Sequence, residues 1–453
     1  MNYHKFCALI LLLISIIIGC SKTESISRNN FKCNNCNVIT IDFTALRADH
    51  LSGYGYHRNT TPNIDAIADE SLVFKNAISA SSWTLPSVMS VFTSTYPLEH
   101  GLKNNRIRDK DGKMVKANIK ELNPKMITLA EVLKQNNYAT AGFTGDAHLN
   151  RTYGYGIGFD VYYDSKPFAG FETTLPMAIS WLKENKNKKF FLFVQGYDLH
   201  GRYELQKDSS RKFMNKKYNG VYSGIAEEQI ALRNLSLEQG YVNLSEEDKE
   251  FWISLYDSKL YDTDQRLGKF LFEIKKLGIL DKSIVIIMGD HGEELFERNR
   301  IDHGFSLYDE LIHVPFIIYL PNHNIQRQIQ DQVRTIDVMP TIFDLISIDI
   351  NDSIKNQMKG VSIVSLMSGQ HINLDAFSET DYLYQVFKRS IRKSNGWKFI
   401  YSLDSNQREL YNLNKDSPKE AHYEISYVQL RAAASGRYHE KCLRGSCSNR
   451  RHE

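Results

Sequence analysis

Five apolar runs frame the chain: Asn37–Asp42, Ala139–Phe143, Phe190–Val194, Ile284–Met288 and Val314–Tyr319. Each is short, and all but Ala139–Phe143 are built largely of β-branched and aromatic residues, the pattern of a strand buried on both faces. Between them, Ile127–Asn136 and Leu255–Leu277 carry apolar residues at helical spacing. Strands alternating with amphipathic helices predict βαβ units and a mostly parallel central sheet flanked by helices, an α/β fold. A further helix opens around Pro86, where Val88, Met89, Val91 and Phe92 follow at helical spacing. Proline suits a first turn because the N–H it lacks would have no partner there. Thr335–Ser347 predicts the closing helix of the main domain. Beyond it the pattern changes to a Lys359-Gly360-Val361-Ser362 turn and the segments Trp397–Ile400 and Glu409–Leu413. There is no internal repeat.

The start of the chain follows another pattern. Lys5 precedes the apolar run Cys7–Ile14, then Ser15, Ile16–Ile18 and Gly19-Cys20. The run is too short to span a bilayer comfortably and reads as a secretory signal, residues 1–19. Residues 20–36 are mostly polar and aperiodic and read as a tether. The main domain is then 37–350, a small C-terminal subdomain 351–419, and residues 420–453 an unassigned tail. A formal charge of +3 gives no reason to expect a nucleic-acid partner, and 42% hydrophobic with 24% charged residues is ordinary for a globular protein. Cys7 leaves with the signal, so an exported chain keeps Cys20, Cys33, Cys36, Cys442 and Cys447. The last four allow two local disulfides or two bridges from the tail to the start of the core, with a four-cysteine zinc site as the lesser alternative.

Candidate chemistry gathers at predicted element ends. Asp42 ends the first strand, the edge where ligands collect in open α/β sheets. Gly289-Asp290-His291-Gly292-Glu293 follows the Ile284 run, and Asp198 and His200 follow the Phe190 run, with His303 further on. Carboxylate and imidazole donors of this kind suit zinc or a similar divalent ion. Thr84 directly precedes the Pro86 helix, whose N-terminal N–H groups and dipole would favour an anionic ester. Plain helix capping is the other reading of Thr84.

These residues stand in a familiar order. Within Ser81–Gly101, the Pro86-Ser87 pair, Ser90-Val91-Phe92-Thr93 and Pro97-Leu98-Glu99-His100-Gly101 resemble the nucleophile segment of the sulfatase family of the alkaline-phosphatase superfamily. Leu46-Arg47-Ala48-Asp49-His50-Leu51, Tyr54-Gly55-Tyr56 and Thr60-Thr61-Pro62-Asn63-Ile64-Asp65 resemble that family's opening signature, and the likeness runs from about Asn37 to Pro418. It implies an alkaline-phosphatase-like core with a small C-terminal α+β subdomain. It also implies a metal-dependent enzyme in which Asp42, Thr84, Asp290 and His291 share one ion. Zinc is the first candidate, with manganese, magnesium or calcium as the others, one or two ions per chain. Asp198, His200 and His303 would hold a second ion or contact the substrate directly. On this resemblance the nucleophile would be Thr84, its alkoxide stabilised by the cation in place of a general base. Ile17-Ile18-Gly19-Cys20 resembles a bacterial lipobox, which implies lipidation of Cys20 and anchoring of an exported protein to a bacterial membrane, the outer membrane or a periplasm-facing one.

Departures from the family pattern bear on the substrate. Sulfatases carry Cys or Ser at the Thr84 position and oxidise it to formylglycine; threonine would give a ketone. The Arg after Pro-Ser is Val88, the second Asp after the first strand is Phe43, and Phe43-Thr44-Ala45 adds two residues before Leu46-Arg47. The sulfate-gripping Gly-Lys-x-His is at best Gly145-Asp146-Ala147-His148, with an acid for the lysine. These differences favour a phosphodiester, phosphate or phosphonate ester, hydrolysed or transferred through a phospho-threonine. A sulfatase in the strict sense is the alternative, and a catalytically inactive surface-anchored binding protein the second alternative.

Overall fold

The computed structural model describes residues 31–108, 111, 113–203, 212–323, 325–383 and 385–415, and every one of the five apolar runs is a strand of one sheet. The strands are β1 (Asn37–Phe43), β2 (Leu72–Ile78), β3 (Ala139–Phe143), β4 (Val161–Tyr163), β5 (Phe190–Gly196), β6 (Ser283–Gly289), β7 (His313–Tyr319) and β8 (Arg327–Arg334). Their order is β8-β2-β7-β6-β1-β5-β3-β4. β6, β1, β5, β3 and β4 run parallel, whereas β7 is antiparallel to both β2 and β6. The sheet is therefore mostly parallel, as the alternation predicts.

Why the runs are unbroken is visible in their packing. Val38, Phe191, Phe193, Ile284 and Ile286 point to one apolar cluster, while Ile39, Ile41, Leu192, Val194, Val285 and Ile287 point to the other. A strand covered on both faces has no polar side to show. β2, LVFKNAI, escapes the pattern because Lys75 and Asn76 interrupt it.

The helices are α1 (Thr84–Thr93), α2 (Leu129–Gln135), α3 (Phe171–Asn185), α4 (Ala226–Gln239), α5 (Glu246–Lys276) and α6 (Val338–Leu345). α2 starts at a capping box made by Thr128 and Glu131. α5 reaches further back than its apolar stripe because Ser245 caps it by accepting from the Asp248 N–H. α3 is hidden from a periodicity reading by Pro176 within it.

Behind α6 an antiparallel sheet of β9 (Ala376–Tyr382), β10 (Val386–Arg392), β11 (Trp397–Ser402) and β12 (Arg408–Asn412) forms the small C-terminal unit. Its Ala376, Ile400 and Tyr411 pack on Ile78, Leu307 and Leu311 of the main domain. β9 also reaches the segment before Thr84: the Glu379 N–H donates to the Ala80 carbonyl, and Ser81 Oγ donates to the Glu379 carbonyl.

Cys33 and Cys36 are disulfide-bonded to each other, with 5.4 Å between their Cα atoms. This is the local pairing; it rules out bridges from these two to the tail and the four-cysteine zinc site, since a disulfide sulfur is no thiolate ligand. The signal sequence, Cys20, Cys442 and Cys447 lie outside the described residues. Among the described residues, no helix is long and apolar enough to cross a membrane.

Candidate active site

The C-terminal ends of β6, β1, β5 and β3 and the start of α1 meet at one place. β1 carries Asp42 there in register with Gln195 of β5 and Met288 of β6. The two extra residues after Asp42 are taken up by a sharp bend in which Ala45 adopts a left-handed φ of 61° and aims its N–H at Asp290 Oδ1, 3.2 Å away. The insertion thus leaves Asp42 at the strand end and gives Asp290 a fixed donor.

Thr84 is the first residue of α1 and Trp83 its N-cap, with no side-chain cap hydrogen bond. Pro86 falls within the first turn, where N–H groups lack intrahelical partners. The Thr84 hydroxyl is not a cap: it lies 3.1 Å from His291 Nε2, a residue 207 positions away. His291 Nδ1 is 2.7 Å from the carbonyl of Gly292, so the network assigns the ring proton to Nδ1 and leaves Nε2 unprotonated. Burial, reinforced by the charge of His303, holds the His291 pKa well below the usual imidazole range.

Asp290 Oδ1 accepts from the N–H groups of Ala45 and His291 and stands 3.6 Å from His291 Nε2. Its carbonyl accepts from Ser79 Oγ and Ser87 Oγ, which ties this loop to α1. Asp290 Oδ2 and both oxygens of Asp42 are buried without a hydrogen-bond partner. Burial and then the Asp146 carboxylate push the Asp290 pKa up to about 8, and burial with Asp290 and Asp146 raises that of Asp42. Carboxylates stripped of water and of counter-charge in this way fit a bound divalent cation, with the unprotonated imidazole nitrogen and the Thr84 oxygen as further donors.

The three residues grouped for a second site separate. His200 and His303 do come together, with ring centroids 4.7 Å apart, and His303 is 4.4 Å from the His291 ring. Asp198 is committed elsewhere: Oδ1 accepts from Arg266 at 2.7 Å and Oδ2 from the Phe171 N–H at the start of α3. Two carboxylates outside the predicted set take its place beside His303. Glu293 Oε1 and Asp302 Oδ1 lie 3.1 Å and 3.0 Å from His303 Nδ1. These three side chains converge closely enough to hold a metal ion. Their charges are already matched, however, by Arg233 on Asp302 and by His303 itself. Burial opposes the charge on His303, but Asp302 and Glu293 outweigh it and raise its pKa to about 10. With no ion bound, the His303 proton and Arg233 balance the two carboxylates. Burial and the His303 charge in turn lower His200 to about 3.

This has a measurable consequence for stability. The pKa of His303 is about 10 in the fold and its unfolded value about 6.5. Its contribution is therefore complete below pH 6.5 and is lost as pH rises through 10, by at most about 1.4 kcal/mol per pH unit. Urea unfolding of wild type and His303→Gln between pH 7 and 10 tests it: the variant should lack this part of the decline, and parallel slopes would contradict the pairing.

A cavity of about 850 Å3 adjoins the histidines, lined in part by Phe168, Tyr197, His200, Arg202, Arg233 and Lys259. Arg202 and Lys259 form no ion pair among the described residues. Arg202 is held at a left-handed φ of 93° by buried Gln229, whose Oε1 accepts from the N–H groups of Arg202 and Tyr203. Tyr197 stacks on His200 at 4.2 Å, linking the cavity wall to the site.

A mostly parallel sheet thus carries a metal-type donor set and a buried hydroxyl at its C-terminal edge. The sulfatase family model matches residues 37–348, and the chain belongs to that family. A second model, the C-terminal part of N-sulphoglucosamine sulphohydrolase, matches residues 297–435. The Delta 4,5-hexuronate-2-O-sulfatase of Bacteroides thetaiotaomicron is 20% identical over 413 residues, covering 83% of this chain and 82% of that protein. Arylsulfatase K of Mus musculus is 27% identical over 174 residues, 36% of this chain, and the chain spans only 31% of its length. The crystal structure of a phosphonate monoester hydrolase of Agrobacterium radiobacter shares the fold, with a TM-score of 0.67, 18% identity and coverage of 90% of this chain and 95% of that one.

Proposed function

We propose that this protein hydrolyses a sulfate ester carried on a larger anionic molecule, with Thr84 as nucleophile. One observation carries the assignment of Thr84. Its hydroxyl is buried at a helix start against His291 Nε2, beside Asp290 and away from any capping partner. The names of the sequence relatives support sulfate as the ester, which reverses the order favoured by the sequence alone: the strict sulfatase moves ahead of the phosphoryl reading. Arg202 and Lys259, cationic side chains along the cavity that form no ion pair among the described residues, support an anionic alcohol component.

A divalent cation held by Asp42, Asp290, His291 and Thr84 Oγ1 would lower the pKa of the hydroxyl and draw charge from the ester oxygens. The chain supplies the rest. Thr84 Oγ1, its proton released to solvent, bonds to sulfur as the bond from sulfur to the alcohol oxygen breaks. His303, whose pKa is raised by Asp302 and Glu293, gives its proton to the leaving alcohol. Water then attacks the sulfur of the sulfo-threonine, one of its protons returning His303 to its charged form and the other restoring the Thr84 hydroxyl as sulfate leaves.

A second reading, a phosphodiester, phosphate or phosphonate ester passing through a phospho-threonine to water or another acceptor, is favoured by Thr84 itself, which cannot become an aldehyde. Parallel assays of 4-nitrophenyl sulfate, 4-nitrophenyl phosphate, 4-nitrophenyl phenylphosphonate and bis(4-nitrophenyl) phosphate, with zinc, manganese or calcium, decide between them. Fastest release from the sulfate supports the first reading. Turnover of phosphorus esters without sulfate turnover moves the assignment to the second, and no release from any ester by metal-loaded protein would sink both. The buried, intact donor set argues against an inactive binding protein. Anchoring of the exported chain at Cys20 belongs to the same proposal, and fatty-acid labelling that leaves Cys20 unmodified would remove it.

A further inference from the structure

Two side chains on the wall of the cavity of about 850 Å3 are exposed and stand on strained backbone. Phe168 is 60% exposed at a left-handed φ of 65°, and Arg202 is exposed at 93°. A non-glycine residue stays in that region only where the surrounding fold holds it, and here neighbouring elements do so. The Ala169 N–H, next after Phe168, donates to the Gly145 carbonyl beyond β3, and the Ala169 carbonyl accepts from the Tyr197 N–H beyond β5. Buried Gln229 of α4 accepts from the N–H groups of Arg202 and Tyr203. The backbone at each position is fixed while its side chain stays open to solvent. Phe168 meets Tyr197 edge-on with ring centroids 5.3 Å apart, Tyr197 stacks on His200, and His200 lies against His303. A row of rings thus leads from the proton donor of the leaving alcohol to the exposed Phe168.

Charge along this wall is unevenly matched. Four acids line the cavity, and each has a cation beside it: Glu172 and Asp198 share Arg266, Asp302 pairs with Arg233, and Glu293 with His303. Arg202 and Lys259 are the lining cations that form no ion pair among the described residues. Of the two, Arg202 has the planar fork that pairs with both oxygens of a carboxylate, whereas Lys259 offers a point charge. An aromatic face in the same cavity suits the apolar face of a ring that carries such an anion. The volume, within the range of about 300–1,000 Å3 usual for small-molecule sites, leaves room for that ring.

We propose that Arg202 is the specificity-determining residue of this cavity, its guanidinium receiving a carboxylate on the leaving alcohol, whose ring lies against Phe168. The inference rests on the reading of Thr84 and His303 given above, which puts the leaving alcohol on the cavity side.

The test uses glucuronate, a ring with one carboxylate, and its uncharged methyl ester, titrated calorimetrically into wild type, Arg202→Gln, Arg202→Gly, Phe168→Ala and Thr84→Ala. Circular dichroism confirms that each variant folds. Wild type should bind glucuronate at least about 10-fold tighter than the methyl ester, and both Arg202 variants should lose that preference. Arg202→Gly accepts the same backbone without strain, so a loss shared with Arg202→Gln belongs to the guanidinium. Phe168→Ala should weaken both ligands alike and keep the preference. Equal binding of the two ligands by wild type, binding of neither, or an undiminished preference in the Arg202 variants overturns the proposal, and unchanged binding in Phe168→Ala overturns the role of Phe168. Thr84→Ala separates this from the ester reading. A preference that it retains, with no ester of the panel turned over by wild type, sinks the reaction and leaves the anion site standing. Turnover of the sulfate by a wild type without preference sinks the role of Arg202 alone.

Discussion

Replacing Thr84 by alanine is expected to lower kcat by about 10,000-fold or more, because the group that forms the covalent bond to the ester is removed. The fold should survive. Thr84 makes no cap, so the loss is one buried hydrogen bond to His291, about 1 kcal/mol against a total stability of about 5–15. Substrate affinity should change little, since Arg202, Lys259 and the rest of the cavity stay in place. Steady-state kinetics on the best ester of the panel, with metal content measured beside it, separates the outcomes. Near-normal kcat would mean that Thr84 is not the nucleophile. A loss matched by Thr84→Ser, which keeps a hydroxyl, would point to packing rather than chemistry.

The second large effect is expected at Arg47, in the Leu46–Leu51 segment, which makes no contact with substrate in the proposed reaction. Its guanidinium, 3% exposed, forms a two-pronged pair with Asp49 and donates from Nη1 to Glu297 and to the Glu293 carbonyl. It therefore ties the turn after β1 to the loop that carries Asp290, His291 and Glu293. Arg47→Ala leaves the half-buried Glu297 without its counter-charge and the buried Glu293 carbonyl without a donor, a loss of about 1–3 kcal/mol. A fall in the urea midpoint with an unchanged slope would show this. Arg47→Lys should recover only part of it, since an ammonium group cannot reach Asp49, Glu297 and the carbonyl together. Wild-type stability in Arg47→Ala would mean that the pairs are offset by the desolvation of the guanidinium.

The pH effect at His303 is smaller and is not apparent from local sequence, and neither are the surroundings of Asp146. Asp146 sits in a short loop with no periodicity, and the family comparison reads it only as a missing lysine. That its second oxygen is buried and unpaired depends on β1, β5 and the segment at Trp83 arriving around it.

Five strand positions, a helix around Pro86, and Asp42, Asp290 and His291 as residues at element ends were legible in the sequence, although the helix begins at Thr84 rather than after it. The reason is local. A strand buried on both faces must be an unbroken apolar run, and a residue that follows such a run lies at a sheet edge whatever the rest of the chain does. β2 was lost because Lys75 and Asn76 break its pattern, and α3 because of Pro176. Only the tertiary structure decided that β7 runs antiparallel to β2 and β6, and that Cys33 pairs with Cys36. It also decided that Asp198 is held by Arg266, 68 positions away, while Glu293 and Asp302 surround His303. A carboxylate's role follows from which charge stands beside it once water is excluded, and that neighbour is chosen by the packing of distant segments.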